Sequence, residues 1–342
     1  MTGTVDLAAA TVECADDAAV QELFLQRGWS DGLPVVPPTP ERVRAVVEAA
    51  QLPGDHVLGR IPEQARAVTV EHLAVNAVAA GCRVEHTSVL VAIVRAITRP
   101  EFGLHSATIS GATAPLAIVS GDSVRQLGMN SGASLFGPGH LANATIGRAV
   151  RLLLQNVCGG VPGVLDKSTF GHPGKYSYCI AESDEHNPWE PLHVARGLDP
   201  QDSGVTVFSG EGPVNVRNDW SGEPGPVLAS IADGMLRSHF TGGSVVVVLG
   251  PLHAAILARA GMSRADVQAE LHRLARRSTA DLARIGRLPG GSGSPDEWWS
   301  AVPTADDVLL TVAGGHLYGY SAVIPAWVAG PDSLPVTERV PR

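Results

Sequence analysis

The chain has 342 residues, 44% of them hydrophobic and only 17% charged, with 38 glycines, 25 prolines and a formal net charge of −9. It is long enough for a sizeable core. It shows neither the basic stripe of a nucleic-acid binder, nor an apolar run of about 18 residues as a membrane span needs, nor a signal-like segment in Met1–Asp16.

In chain order, Ala18–Arg27 reads as a short helix. The segment WSDGLPVVPP (29–38) is extended, because Pro34, Pro37 and Pro38 exclude a helix and Asp31-Gly32 supplies a turn. Thr39 caps a helix opening on Pro40 and running to Ala50. Helices over Val70–Ala80 and Glu85–Thr98 follow, separated at Gly81. Four apolar runs then end in Gly turns: Pro115–Ser120, Val205–Ser209, Ser244–Leu249 and Val308–Ala313. Strands apolar on both faces predict an α/β fold whose parallel or mixed sheet is covered by helices and built from strand–Gly-turn–helix units. The segments AIVSGDSVRQLGM (117–129) and VVVLGPLHAAILARAGM (246–262) resemble each other, which raises an internal duplication. The reading is one intertwined α/β domain over 18–330, helical over 18–100 and sheet-containing over 101–330. A flexible N-terminus (1–17) and a C-terminal tail (331–342) flank it, and Leu288–Pro303, with Trp298 and Trp299, is a lid or linker.

Four stretches could carry chemistry. GMNSGASLFGPGHLANATIGRAVR (128–151) is a Gly-rich loop entering a helix near Asn143. Helix amides there would cradle an anion, with Asn130, Ser131, Gly132, His140, Asn143 and Arg148 around it. No GK[ST] and no GxGxxG follows, so no ATP or NAD motif is present and the cofactor stays open. DKSTFGHPGKYSYCIAE (166–182) sets His172 on a Gly-Pro-Gly turn. Its alternation places Lys175 and Cys179 on one strand face, and a lysine beside a shared cleft would favour the thiolate. A buried, inert Cys179 is the competing reading. SDEHNPWEPLH (183–193) fits no standard metal spacing and reads as a surface loop anchored by Trp189. A metal enzyme using His186 and His193 is kept as an alternative. AGGHLYGYSAVIPAW (313–327) puts Gly314, Gly315, His316 and Ser321 at a strand's C-terminal end, where open α/β sheets bind ligands. His72, His105 and His253 read as structural. Cys14, Cys82, Cys158 and Cys179 form no CxxC pair, which indicates a cytoplasmic protein with free thiols.

WSDGLPVVPPTPERV, NAVAAGCR, GPGHLANATIGRAVRLLLQNV, GHPGKYSYCIAE, PWEPLHV and VAGG…S..IP together resemble an uncharacterised bacterial family. Its members are often encoded beside proteins carrying a selenocysteine- or Cys-Gly-Ser-Cys motif, labelled glycine/sarcosine/D-proline-reductase-like. The likeness spans about Ala18 to Trp327. It points to Asp31, Gly32, Pro37, Asn76, Cys82, Asn130, Gly132, Asn143, Arg148, Lys175, Cys179 and Glu182. It departs at His316, where a small residue would follow VAGG. The resemblance implies a thiol- or selenol-bearing partner protein, since this chain has no such motif. The resulting expectation is a homo-oligomeric enzyme that acts on a small carboxylated metabolite by bond cleavage or thiol-linked redox chemistry. His172 and Lys175 would be its acid–base groups and Cys179 its nucleophile. A non-catalytic binding or scaffold subunit for that partner is the rival reading.

Overall fold

The computed structural model describes residues 6–105, 112–240, 242–287, 294–326 and 334–342. The helices are α1 (Asp17–Gln26), α2 (Pro40–Ala49), α3 (Val70–Ala80), α4 (Thr87–Ile97), α5 (Ser123–Gln126), α6 (Leu141–Asn156), α7 (Leu192–Ala195), α8 (Pro224–Met235), α9 (Pro251–Arg259), α10 (Arg264–Leu274) and α11 (Thr279–Arg284). The strands are β1 (Val57–Ile61), β2 (Arg66–Thr69), β3 (Ala114–Ser120), β4 (Cys179–Ala181), β5 (Gly204–Gly210), β6 (Val214–Arg217), β7 (Val245–Leu249), β8 (Arg276–Ser278), β9 (Trp298–Ser300), β10 (Val308–Val312), β11 (Tyr320–Pro325) and β12 (Val336–Arg339). Among the described residues no helix is long and apolar enough to cross a membrane.

The α/β class is as the sequence predicts, and the four apolar runs fall into two four-stranded mixed sheets, ordered β12-β5-β3-β4 and β10-β7-β11-β6. Side-chain alternation explains why these strands are apolar on both faces. In the first sheet Ala117, Val119, Val205 and Val207 join a core with α2, α3, α4 and α6, whereas Leu116, Ile118, Ile180 and Phe208 point the other way. In the second, Val245, Val247, Leu249 and Leu310 join a core with α8, α9 and α10, and Val246, Val248, Leu309 and Ile324 point away from it. The outward-pointing sets meet in a third core, so the layers run helix, sheet, sheet, helix. Main-chain bonds tie the sheets together at two corners, Ser183 N to Val312 O at 2.8 Å and Glu211 N to Pro325 O at 2.9 Å.

Each sheet repeats one plan. β3 has a parallel neighbour, β4, and an antiparallel one, β5, beyond which lies antiparallel β12. β7 likewise lies between parallel β10 and antiparallel β11, beyond which lies antiparallel β6. In chain order the two sets are β3, β4, β5, β6 and β7, β10, β11, β12, so the halves exchange their fourth strands. The 331–342 tail is therefore partly a strand: Val336–Arg339 pairs with β5. The sequence match 117–129 with 246–262 is out of step for its strands. It equates Ala117, which faces helices, with Val246, which faces the other sheet, and a one-residue slip inverts every side chain. Its end does correspond. Gly128 (φ 60°) and Gly261 (φ 77°) both close helices in the left-handed region, as helix C-termini favour, and Met129 N and Met262 N return to Val124 O and Leu257 O.

Several local readings are corrected. The helical N-terminal part also holds the β1–β2 hairpin. Of the lid candidate, 288–293 lies outside the described residues. Its remainder is tied down: β9 pairs with β8, and Trp299 Nε1 donates to Thr279 Oγ1 at 3.0 Å.

Candidate small-molecule pocket

The Gly-rich loop after Gly128 and the Gly-rich turn after β10 lie apart in sequence, and the structure brings them together. Gly314 N donates to Ser131 O at 2.8 Å. Asn130 and Asn143 shape the loop. Asn130 N donates to Asn143 Oδ1 (2.8 Å) and Asn143 Nδ2 donates to Asn130 O (3.0 Å), while Asn130 Oδ1 accepts from Gly132 N. Asn143 is buried inside α6, which starts at Leu141 with His140 as its N-cap. These two asparagines thus clamp a loop, and their amide groups are spent doing so.

Between the loops lies a pocket of about 310 Å³, at the C-terminal ends of β7 and β10 and the start of β11. That volume is within the range of small-molecule sites. Ser134, Leu135, Phe136, Asn215, Val248, Tyr320 and Ala322 line it, with the backbone of Gly250, Gly314 and Gly315. Gly250 is required there: a β-carbon would run into the Tyr320 carbonyl, to which Gly250 N donates. Ser321 also borders the pocket, but alternation sets it with Val323 on the helix-covered face. Its Oγ lies 2.8 Å from His253 Nδ1, and His253 Nε2 lies 3.1 Å from Asn218 O. A carbonyl only accepts, so Nε2 carries the proton and Nδ1 accepts from Ser321. Ser321 is thereby a structural hydroxyl, and His253 is the buried structural imidazole that the sequence suggests.

Among the described residues the two halves of the repeat differ at this end. The β10–β11 connection is short (313–319), whereas the β4–β5 connection (182–203) folds back over its own end. Leu192 from that connection enters the core between the sheets, His193 Nδ1 meets Ser120 Oγ at 3.1 Å, and Trp189 Nε1 donates to Met262 O at 3.0 Å. Trp189 is thus an anchor, as expected. Glu182, fully buried, holds the plug. Its carboxylate accepts from Leu192 N (2.7 Å), Asn187 Nδ2 (3.1 Å) and Thr311 Oγ1 (3.2 Å). Burial pushes its pKa up to about 7, against the pull of the Leu192 amide, Arg264 and Thr311.

The other expected site residues are placed elsewhere. Arg148 is engaged by a carboxylate of this chain. Its Nε and Nη2 grip Asp31 Oδ2 and Oδ1 at 2.8 and 2.9 Å, and Nη2 also reaches Leu33 O. Lys175 and Cys179 do not share a strand, because Pro173–Lys175 is a 3-10 turn and β4 begins only at Cys179. Lys175 Nζ makes three bonds, to both Asp166 oxygens (2.8 and 2.7 Å) and Ser168 Oγ (2.7 Å). Burial pulls the Asp166 carboxyl up, but the hydrogen bonds from Lys175 and Ser168 outweigh it and its pKa ends below the usual range. The crevice beside this pair holds about 20 Å³, room for about one water. Cys179 packs in the first core, and burial raises its pKa, so it stays a thiol. Burial likewise takes Cys82 and Cys158 up to about 12. His172 is half-buried, edge-on to Tyr178 at 5.2 Å, with Nδ1 accepting from Gly174 N at 3.1 Å. It caps the turn and does not border the pocket. His316 stands 5.9 Å ring to ring from His186. Among the described residues no group of three His, Cys, Asp or Glu side chains could hold a metal ion.

His86, His172, His193 and His253 all have pKa values lowered, chiefly by burial. The unfolded chain binds their protons first, so their contribution to stability is full above about pH 6.5 and is lost as pH falls toward the folded values. Glu182 and Asp184, both raised by burial, act in the opposite sense. The urea midpoint is expected to drop between pH 7.5 and 5.5, with four imidazoles outweighing two carboxyls. A midpoint that rises over that range would contradict this.

No protein-family model matches the chain, and no curated protein sequence matches it significantly.

Proposed function

We propose that this chain is a binding subunit for a small, partly apolar metabolite, held in the pocket between the two Gly-rich loops. The observation that carries this is the asymmetry of the repeat, in which one mouth is plugged by Leu192 and the other bears a ligand-sized pocket. The side chains around the pocket suit holding more than reacting. They are apolar or aromatic with Ser134, Asn215 and Tyr320 as polar contacts, and the His, Lys, Cys, Asp and Glu side chains of the described residues lie outside the lining. A nucleophile or redox centre would then come from a second protein, such as the thiol- or selenol-bearing partner that the sequence resemblance implies. Exposed apolar side chains such as Phe170 and Trp220 offer places for that protein or a second copy of this chain to dock. An enzyme that works alone, through His172, Lys175 and Cys179, has less support, since the lysine and the thiol are committed elsewhere.

Asn215 lines the pocket from an exposed strand position, so Asn215→Trp fills the mouth without entering a core. That variant is expected to keep wild-type stability and to lose at least tenfold in affinity for a pocket ligand, measured by calorimetry. Unchanged affinity for a ligand that binds the wild type would place binding elsewhere.

A further inference from the structure

The pocket has a cation at its rim that was not among the expected site residues. β6 alternates, with Val216 in the second core and Asn215 and Arg217 exposed on the opposite face. Asn215 stands across from Ala322, and Arg217 across from Tyr320, and both those β11 residues line the pocket. Arg217 therefore continues the pocket wall one strand position outward. Its guanidinium lies over two aromatic rings, 5.7 Å from Tyr320 and 5.4 Å from Trp220. Stacking of this kind fixes the plane of a guanidinium and leaves its edge for hydrogen bonding. Asp219 fixes it further. Its Oδ2 accepts from Arg217 Nε and its Oδ1 from Gly319 N, so the carboxylate orients the arginine from the Nε side. Among the described residues neither Nη of Arg217 has a hydrogen-bond partner, and its side chain is 51% exposed. The segment beneath it is rigid: Asn218 donates to Pro226 O and Ser230 Oγ, and its carbonyl faces His253.

We propose that Arg217 is the anion-binding residue of this pocket, and that it takes the carboxylate of a small ligand whose apolar or aromatic body lies against Tyr320, Phe136 and Ala322. This rests on the pocket being a binding site. A planar carboxylate matches the two Nη groups of a fixed fork. A phosphate monoester carries nearly two negative charges at neutral pH, and Asp219 on the same guanidinium opposes the second. The monoanion is therefore the better fit. Arg217 takes over the role that the sequence gives to Arg148, which is consumed by the buried Asp31 carboxylate.

The test uses benzoate, benzamide and phenyl phosphate, titrated by ligand-observed NMR into the wild type, Arg217→Gln and Arg217→Lys. Benzoate is expected to bind the wild type about tenfold more tightly than benzamide and more tightly than phenyl phosphate. Arg217→Gln should bring benzoate down to the benzamide level while leaving benzamide unchanged, which shows that the pocket is intact. Arg217→Lys, with a charge but no fork, should recover only part of the difference. Equal binding of benzoate and benzamide to the wild type overturns the assignment of Arg217 and leaves the pocket standing. Tighter binding of phenyl phosphate overturns the carboxylate. Binding of none of the three overturns the pocket reading itself.

Discussion

Replacing Arg148 with alanine is expected to destabilise the fold by about 3–5 kcal/mol, the usual cost of leaving one member of a buried ion pair behind. Asp31 keeps only 3% of its side chain exposed and Arg148 only 14%. Removing the guanidinium takes both arginine bonds from Asp31, which keeps only the one from Leu33 N, and one from the Leu33 carbonyl. The consequence is local first. Segment 28–36 has no regular structure of its own. Side chains of α6 hold it: Arg148 at Asp31, Gln155 at the Gly28 and Ser30 carbonyls, and Asn156 at Trp29 O. Arg148→Ala should therefore expose this segment to limited proteolysis before the rest of the protein opens, and lower the urea midpoint. Arg148→Lys should recover little, because a single ammonium lacks the planar fork that bonds both Asp31 oxygens in parallel while also reaching Leu33 O. Were Arg148 an anion ligand, the substitution would spare stability and abolish binding. The structure predicts the reverse, with pocket affinity retained under native conditions.

The second large effect is at Glu182. Glu182→Ala leaves the Leu192 amide and the Thr311 hydroxyl without their acceptor and takes one of two acceptors from the Asn187 amide group. Stranding buried donors costs about 1–3 kcal/mol each, so a loss of about 3 kcal/mol or more is expected in denaturant titration. The damage should fall on the plug, because the Leu192 amide is tied to this carboxylate and its side chain closes the second mouth. Hydrogen exchange should accelerate across 182–203 more than in β7 or β10. The wild-type carboxyl has its own pH signature. Its folded pKa is raised to about 7, so its contribution is full below the unfolded value of about 4.3 and is lost as pH rises through 7. The stability gap between wild type and Glu182→Ala should therefore narrow from pH 5 to pH 8. A gap that widens would mean the carboxylate is held charged.

Much of the fold is legible in the sequence because burial on both faces leaves a plain signal. β3, β5, β7 and β10 are nearly continuous apolar runs. The strands missed are those where that signal fails. β6 and β12 have exposed polar positions, and β11 hides behind the Gly-rich turn before it, whereas β4 is read from its alternation but begins only at Cys179. The exchange of β6 and β12 is a long-range matter that no local pattern records. At the site, the Gly-rich stretches were visible, yet what they do was not. Asn143 and Arg148 look like anion ligands in a loop entering a helix. Only three dimensions show that Asn143 turns back to Asn130 and that Arg148 reaches Asp31, 117 positions away. Lys175 misleads in the same way, since its partner Asp166 sits nine positions back across a turn. Phe136 and Tyr320 lie inside stretches singled out from the sequence. Asn215 and Arg217 carried a usable sign, the alternation of Val214-Asn215-Val216-Arg217 after Gly-Pro, which marks a half-exposed strand.

The position of a bound small ligand separates the pocket from the 166–182 segment. Photolabelling the intact protein with 4-azidobenzoate, followed by mapping of the modified peptides, reads that position directly. Labels are predicted within 134–137, 215–220 and 313–322, suppressed by excess benzoate and by Asn215→Trp. Labels concentrated in 166–182, around His172, Lys175 and Cys179, would contradict it.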